Sequence, residues 1–292
     1  MRVIDLYAQL EKDFIFSHLY DEFARYIPNL HPYMTDSFKE RSMGLVCDFT
    51  NKVKTVYTAV FPSDRVMSHI LETDPRDAMI FLHHPAIWDY RGSPQRWFQM
   101  DNEWIEQCKE RRISIYAIHV PLDNFGLYST SRSLTDALGI EIIEPFAEYR
   151  GGLAGVIGKT NCKTIAELNG LFARTVGHQT KLYPYGDAEI IDGKVAIVAG
   201  GGNDMEVLPA VTKKGVHTLI TGITVDNEKY AEVHQYEKNN CINVLGGTHY
   251  STEKFACQKI CEYFDKQGLK AQFIEDIPVL EDICIFIGKL KP

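Results

Sequence analysis

The sequence contains no long apolar run and no segment with the character of a secretory signal. Its longer apolar runs, such as Ala78–Leu82 and Ile113–Ile118, have the length of β-strands, whereas a membrane-spanning helix needs about 20 apolar residues. The first residues include acidic side chains and lack the apolar core that a signal peptide requires. We therefore expect a protein with neither a membrane span nor a cleaved leader.

The sequence also lacks closely paired cysteines and an excess of positive charge. Its seven cysteines are scattered along the chain, none in a Cys-x-x-Cys pair, which predicts reduced thiols and a cytoplasmic location. The 31 Lys and Arg residues are outnumbered by 39 Asp and Glu residues, for a formal net charge of −8. Because proteins that bind nucleic acid nonspecifically need a basic surface, we expect no nucleic-acid partner.

What the sequence does contain is a regular alternation of short apolar runs with amphipathic stretches. This alternation is typical of α/β proteins, and the chain is long enough for two lobes of roughly 150 residues each. The predicted strands are 44–49, 55–60, 78–82, 113–119, 152–158, 195–200, 217–221, 242–246, 271–275 and 283–288.

The predicted segmentation is an N-terminal helical extension over residues 1–42 and two similar α/β lobes over 43–150 and 151–292. The lobe boundary is placed where a proline and a glycine pair interrupt regular structure. Each lobe is expected to hold a mixed sheet flanked by helices, and the last predicted strand could return to the first lobe. A capping-box spacing at Thr164 and Glu167 predicts the start of a helix.

Three predicted strands run directly into histidine and carboxylate side chains, which are common metal ligands. In chain order these side chains are His83, His84, His119, Asp123, His249 and Glu253. In an open α/β sheet, the loops at the carboxyl ends of the strands converge on one crevice. We therefore predict that they form one metal site, in the cleft between the two lobes.

The number and type of ligands favour two ions over one. His83, His84 and His249 offer imidazoles, and Asp123 and Glu253 offer carboxylates. His249 and Glu253 would share a helix face, with Ser251 as the helix N-cap. A structural zinc ion closes with four ligands, whereas five ligands on two ions leave positions for water and substrate. Mixed nitrogen and oxygen ligands suit Zn, Fe or Mn, so we predict two divalent ions of one of these metals.

His119 has three possible roles at this site. It could be a ligand, a group that orients Asp123, or a general acid or base near the substrate. Each His-containing motif also occurs by chance, with its side chains solvated or bonded to backbone groups. The occurrence of three such motifs, each after a strand, favours the metal site.

A glycine run at Ala199–Asn203 follows one predicted strand and precedes a helix. Its amides could bind a phosphate, or the run could be a tight strand-to-helix turn. It lacks the G-x-G-x-x-G spacing and the lysine of a P-loop, which favours the turn.

Together these motifs resemble the dinuclear-metal-centre family related to NGG-interacting factor three, whose members carry the name type 2 GTP cyclohydrolase I. The resemblance extends from about Met43 onward. It rests on the segments FLHHPAIW (81–88), AIHVPLDNF (117–125), SRSLTDALGI (131–140), VAIVAGGGND (195–204), LITGIT (219–224) and GTHYSTE (247–253). One departure is Ile223, which stands where the family usually has an aspartate.

The resemblance implies that the dinuclear ligands are His83, His84, Asp123, His249 and Glu253. It also implies a toroidal homohexamer of two-lobed subunits, with the metal sites lining the inner surface. The predicted function is a dinuclear metal-dependent hydrolase that acts on a small, nucleotide-like substrate. The alternative is a non-catalytic metal-binding ring that acts as a scaffold or regulatory partner-binding protein. A ring that threads DNA is least favoured, because the net charge is negative.

Overall fold

The computed structural model describes residues 2–89 and 96–278 and confirms a mixed α/β fold. Its strands are β1 (Gly44–Cys47), β2 (Thr55–Ala59), β3 (Ala78–Leu82), β4 (Ala86–Asp89), β5 (Arg96–Gln99), β6 (Ile113–Ala117), β7 (Glu141–Tyr149), β8 (Gly152–Lys159), β9 (Lys181–Tyr183), β10 (Lys194–Val198), β11 (Thr218–Thr221), β12 (Asn243–Gly246) and β13 (Lys270–Phe273). The predicted strand at 283–288 lies outside the described residues.

The α-helices connect and flank these strands. They are α1 (Val3–Phe14), α2 (Asp36–Arg41), α3 (Asp64–Glu72), α4 (Asn102–Glu110), α5 (His119–Asp123), α6 (Thr130–Ala137), α7 (Ile165–Val176), α8 (Leu208–Lys213), α9 (Ala231–Asn239) and α10 (His249–Lys266). Helix α7 begins with the predicted capping box, in which the side chains of Thr164 and Glu167 each bind the other's backbone N–H. In the described part of the chain, no helix combines the length and apolar character that crossing a bilayer requires.

The chain forms two compact units, and each is discontinuous in sequence. The first contains the residues up to Ser129, Tyr149–Leu153 and Lys254–Asp276, and the second consists mainly of Thr130–Glu148 and Ala154–Glu253. The predicted segmentation instead assigns everything after residue 150 to the second lobe. The two divisions differ because Lys254–Asp276 belong to the first unit and Thr130–Glu148 to the second.

A five-stranded sheet forms the centre of the first unit, in the order β1-β6-β3-β2-β13. Strands β6, β3, β2 and β13 are parallel, and β1 is antiparallel at one edge. Leu82 of β3 is in register with Ala117 of β6. The segments that follow these two strands therefore leave the sheet side by side at one edge.

The N-terminal segment packs against this sheet and shares its core. It continues after α1 with two 3₁₀ helices, Phe23–Tyr26 and Pro28–Tyr33. The side chains of Ile27, Leu30 and Phe38 are buried in one apolar cluster with those of the strands. Burial of side chains this large stabilises a fold by about 1.5–3 kcal/mol each, so the segment is an integral part of the first unit.

The C-terminal part of α10 also belongs to the first unit. The Thr58 hydroxyl of β2 donates a 2.7 Å hydrogen bond to the carbonyl oxygen of Cys257. The rings of Phe81 and Phe264 meet edge-on, with their centroids 5.3 Å apart. Strand β13 then pairs with β2, so helix and strand together extend the first sheet and its core.

A six-stranded sheet forms the centre of the second unit, in the order β7-β8-β10-β11-β12-β9. Its strands β10, β11 and β12 are parallel, and Val198, Thr221 and Gly246 are in register at their carboxyl ends. The glycine run that follows β10 and the start of α10, which follows β12, therefore lie at the same edge of this sheet.

Candidate metal centre

Three imidazole rings form one cluster at the carboxyl edge of the first sheet. His83 and His84 follow β3, and His119 follows the neighbouring β6. The ring centroids lie 4.1 Å apart for His83 and His84, 4.7 Å for His84 and His119, and 5.4 Å for His83 and His119. The parallel pairing of β3 and β6 thus brings together His84 and His119, which are 35 positions apart in the sequence.

Asp123 completes this cluster from the one-turn helix α5. Because it follows His119 by four residues, the two side chains share a helix face, and His119 Nε2 lies 3.4 Å from Asp123 Oδ2. The other carboxylate oxygen, Oδ1, lies 3.4 Å from His83 Nε2. A single carboxylate therefore faces two imidazole nitrogens, one with each oxygen.

The hydrogen bonds on the far sides of the rings indicate which nitrogen carries the proton. His83 Nδ1 lies 3.3 Å from the carbonyl oxygen of Ile118, and His119 Nδ1 lies 2.9 Å from Asp21 Oδ2. A carbonyl or an ionised carboxylate only accepts hydrogen bonds, so both rings donate from Nδ1. In their neutral forms both rings then present the lone pair of Nε2 to Asp123, and such a set of electron-pair donors fits a cation.

His249 and Glu253 are adjacent on the first turns of α10, as their spacing predicts. His249 Nε2 lies 3.1 Å from Glu253 Oε1. The prediction that Ser251 is the N-cap is wrong, because the helix begins at His249. Thr248 is the cap: its hydroxyl accepts from the N–H of Ser251, and the Ser251 hydroxyl accepts from the N–H of Thr248, both at 3.0 Å. This reciprocal pair fixes the start of the helix and with it the two candidate ligands.

The glycine run forms a tight turn that makes room for Glu253. Gly200 has φ +69°, and a Cβ atom built on it would lie 2.1 Å from Glu253 Oε1. The Gly200 N–H donates to the hydroxyl of Thr252 at 3.0 Å. The turn was predicted from the sequence, but its contact with Glu253 was not, because Glu253 lies 53 positions further along the chain.

Three of the predicted ligands form a group that could hold a metal ion. One ligand atom from each of His83, His84 and Glu253 lies within 4.8 Å of the other two, and all three residues are buried. Glu253 is carried by α10, whose next residues pack in the first unit. That Asp123 and His249 are ligands as well, and that the site lies in a cleft, remain predictions.

The chemistry of this group fits a divalent metal ion. Two imidazoles and a carboxylate are ligands that zinc, iron and manganese all accept. The Glu253 side chain is only 3% exposed, and burying an ionised carboxylate is costly unless a cation compensates its charge. The ring geometry and the burial therefore both favour a bound cation.

Asp21 is a neighbour of this cluster that sequence analysis missed. It belongs to the N-terminal segment, and its side chain is 1% exposed. Burial by itself would raise the pKa of Asp21, but the His119 ring and the Arg150 guanidinium outweigh burial, so the pKa lies below its ordinary value. No spacing or motif marks this residue, because only the packing of the N-terminal segment brings it to His119.

This chain is similar to known proteins in both sequence and structure. Residues 20–279 match the family model described as Duf34/NIF3 (NGG1p interacting factor 3). A protein of Archaeoglobus fulgidus named GTP cyclohydrolase 1 type 2 homolog is 31% identical over 241 residues, which cover 80% of this chain and 89% of that protein. A protein of the same name from Pyrococcus horikoshii is 28% identical over 274 residues, which cover 91% and 98%.

Solved structures show the same fold over nearly the whole chain. The protein ybgI, titled as of unknown function, has a TM-score of 0.74 at 18% identity and covers 96% of this chain and 100% of its own. Reduced HcgD from Methanocaldococcus jannaschii has a TM-score of 0.66 at 20% identity and covers 94% and 98%. A Bacillus cereus protein related to NIF3 has a TM-score of 0.68 at 15% identity and covers 98% and 99%.

Proposed function

This chain belongs to the Duf34/NIF3 family, and we propose that it is a dinuclear metal-dependent hydrolase of a small, nucleotide-like substrate. The observation that carries the proposal is the buried group of His83, His84 and Glu253, whose ligand atoms lie within 4.8 Å of one another. The hydrogen bonds on the histidine rings and the burial of the carboxylate support it. The names of the relatives, GTP cyclohydrolase 1 type 2 homolog, support the substrate class.

We assign the ligands of the two ions to His83, His84, Asp123, His249 and Glu253. Divalent ions bound by these residues would supply Lewis acidity and an activated water at neutral pH. The protein's own contribution is to position the ligands. Asp123 has one carboxylate oxygen toward His83 and the other toward His119, so its carboxylate would help to hold a cation beside these rings.

Aromatic rings surround the imidazole cluster within the first unit. Phe61 stacks on His84 with a centroid distance of 4.9 Å, and Phe23 meets His119 edge-on at 4.8 Å. Trp97, which is partly exposed, lies edge-on to Phe23 at 5.4 Å. These rings pack against the imidazoles and limit the access of water to the cluster.

Turnover by the metal-loaded protein tests the proposal. Protein reconstituted with zinc, manganese or ferrous iron is offered GTP and other nucleotides, phosphodiesters and cyclic amides, and products are separated by chromatography. We expect hydrolysis of one nucleotide-like class, reduced by about 100-fold or more in Asp123→Ala, because even groups that merely orient ligands contribute 10–100-fold. An absence of turnover with every metal, while metal still binds, would instead support the non-catalytic scaffold.

We also propose that the protein is a homohexamer, on the basis of the family resemblance. Large apolar side chains are exposed on the single chain, among them Leu127 at 49% and Ile191 at 55%, and an interface between subunits would cover such residues. Light scattering at micromolar concentration is expected to give six times the 33.3 kDa mass of one chain. A mass of 33.3 kDa would contradict the prediction.

A further inference from the structure

His119 lies between two carboxylates, one near each of its ring nitrogens. Its Nδ1 lies 2.9 Å from Asp21 Oδ2, and its Nε2 lies 3.4 Å from Asp123 Oδ2. Asp21 thus lies behind the ring and Asp123 in front of it. Asp21 also makes contacts other than the one with His119.

Asp21 is fixed in place by the backbone and by a cation. Its Oδ1 accepts a 2.7 Å hydrogen bond from the N–H of Glu22 and lies 3.9 Å from Arg150 Nη1. With one oxygen occupied in this way, the other is directed at the imidazole. A carboxylate held by such contacts is a rigid acceptor, and it requires the His119 ring to carry its proton on Nδ1.

Aromatic neighbours prevent the ring from turning away. Phe23 meets the His119 ring at 86° and Tyr149 meets it at 82°, with centroid distances of 4.8 and 6.1 Å. A half-turn of the imidazole about its Cβ–Cγ bond would place the carbon Cδ2, in place of Nδ1, against Asp21 and would break the hydrogen bond of 2.9 Å. The hydrogen bond and the packing therefore select the same orientation.

We propose that Asp21 is a positioning residue, which fixes the orientation and the tautomer of His119 so that the Nε2 lone pair faces Asp123 and the metal centre. This arrangement of carboxylate, imidazole and metal is the one by which outer carboxylates set the direction and basicity of a metal-facing histidine. The expected effect on metal binding rests on the proposed metal centre, whereas the tautomer of His119 rests only on the geometry of the first unit. It also assigns a role to the N-terminal segment.

Asp21→Asn tests the proposal, with Glu22→Gln as a matched control. The first variant keeps the shape of the side chain but replaces its obligatory acceptor with an amide. The second removes the neighbouring carboxylate, which also binds Arg150, at 3.2 Å, and leaves Asp21 intact. The two variants separate the contact with His119 from the general effect of losing a negative charge next to Arg150.

The first measurement is zinc affinity by competition with a chelator. We expect Asp21→Asn to weaken zinc binding by about 10–100-fold, and Glu22→Gln to change it by less than about 3-fold. Equal affinity in Asp21→Asn and the unmodified protein would overturn the proposal. Equal losses in the two variants would also overturn it, because the effect would then belong to Arg150.

The second measurement is made on metal-free, unmodified protein, and a variant is needed only to assign the signal. Solid-state nitrogen NMR of histidine-labelled protein, with the His119 signal assigned from its loss in His119→Gln, is expected to show the Nδ1–H tautomer. An Nε2–H tautomer would overturn the proposal. If the tautomer and the zinc result are as expected but no substrate is turned over, only the hydrolase function fails.

Discussion

Replacing Glu253 with glutamine is expected to abolish metal retention while leaving the metal-free fold almost as stable as before. The carboxylate belongs to the buried group with His83 and His84, and a neutral amide is a much poorer ligand for a divalent ion. The helix that carries it does not depend on it. Ala256, Ile260 and Phe264 of α10 are fully buried, and such packing supplies most of a helix's stability.

The loss of the Glu253 charge and the loss of bound metal are expected to change stability by different amounts. Glu253 is the fifth residue of α10, so the helix dipole stabilises its charge by less than about 1 kcal/mol. Bound metal, in contrast, stabilises the folded state by about 2.7 kcal/mol when its concentration is 100 times the dissociation constant. The variant should therefore lose the increase in melting temperature on adding metal and keep the melting temperature of the chelator-treated protein.

Calorimetry and metal analysis check this expectation. The unmodified protein, Glu253→Gln and Glu262→Gln are each measured after chelator treatment and again after zinc is restored. Glu262 is exposed on the same helix, so its variant should behave as the unmodified protein does. A metal-free Glu253→Gln protein that melts far below metal-free unmodified protein would show that Glu253 is structural and that the assignment is wrong.

Replacing Gly200 with alanine is expected to weaken metal binding and to lower the stability of the fold. A Cβ at this position would lie 2.1 Å from Glu253 Oε1 and 3.2 Å from His249 Cδ2, so the carboxylate must move. Gly200 also has φ +69°, a conformation in which a side chain costs about 1–2 kcal/mol. The variant should lose stability from both causes and zinc affinity from the displacement of Glu253.

Gly215→Ala is the matched control for the backbone strain. Gly215 has φ +64°, but a Cβ there meets nothing within 4 Å. In urea unfolding, backbone strain should therefore lower the free energy of unfolding of both variants by about 1–2 kcal/mol. Only Gly200→Ala should bind zinc more weakly, by about 10-fold or more. Zinc affinity that is equal in the two variants would mean that the contact between Gly200 and Glu253 does not position the ligand.

Local periodicity and short spacing made several features of this protein predictable from its sequence. The apolar runs that become β3, β6 and β12 are visible in it, as are the histidines that follow them. A spacing of four residues places His249 with Glu253, because side chains four apart share a helix face. The capping box of α7 is equally local.

The tertiary structure decided which distant segments these local features meet. The hydroxyl of Thr58 binds the carbonyl of Cys257, 199 residues away, and β13 joins β2 by backbone hydrogen bonds. Backbone donors and acceptors are the same in every residue, so strand pairing across such a distance leaves no signature in the side-chain pattern. For this reason the predicted segmentation gave the whole of α10 and β13 to the second lobe.

The same reason explains why two residues near the site, Asp21 and Gly200, were not predicted from the sequence. Asp21 is one of many acidic residues, and only the burial of the N-terminal segment against the first sheet turns its carboxylate to His119. Gly200 is one of three consecutive glycines, and only the register of β10, β11 and β12 brings it against Glu253. The ligand types were therefore set by sequence, while the groups that orient them were set by packing, which depends on residues far apart in the chain.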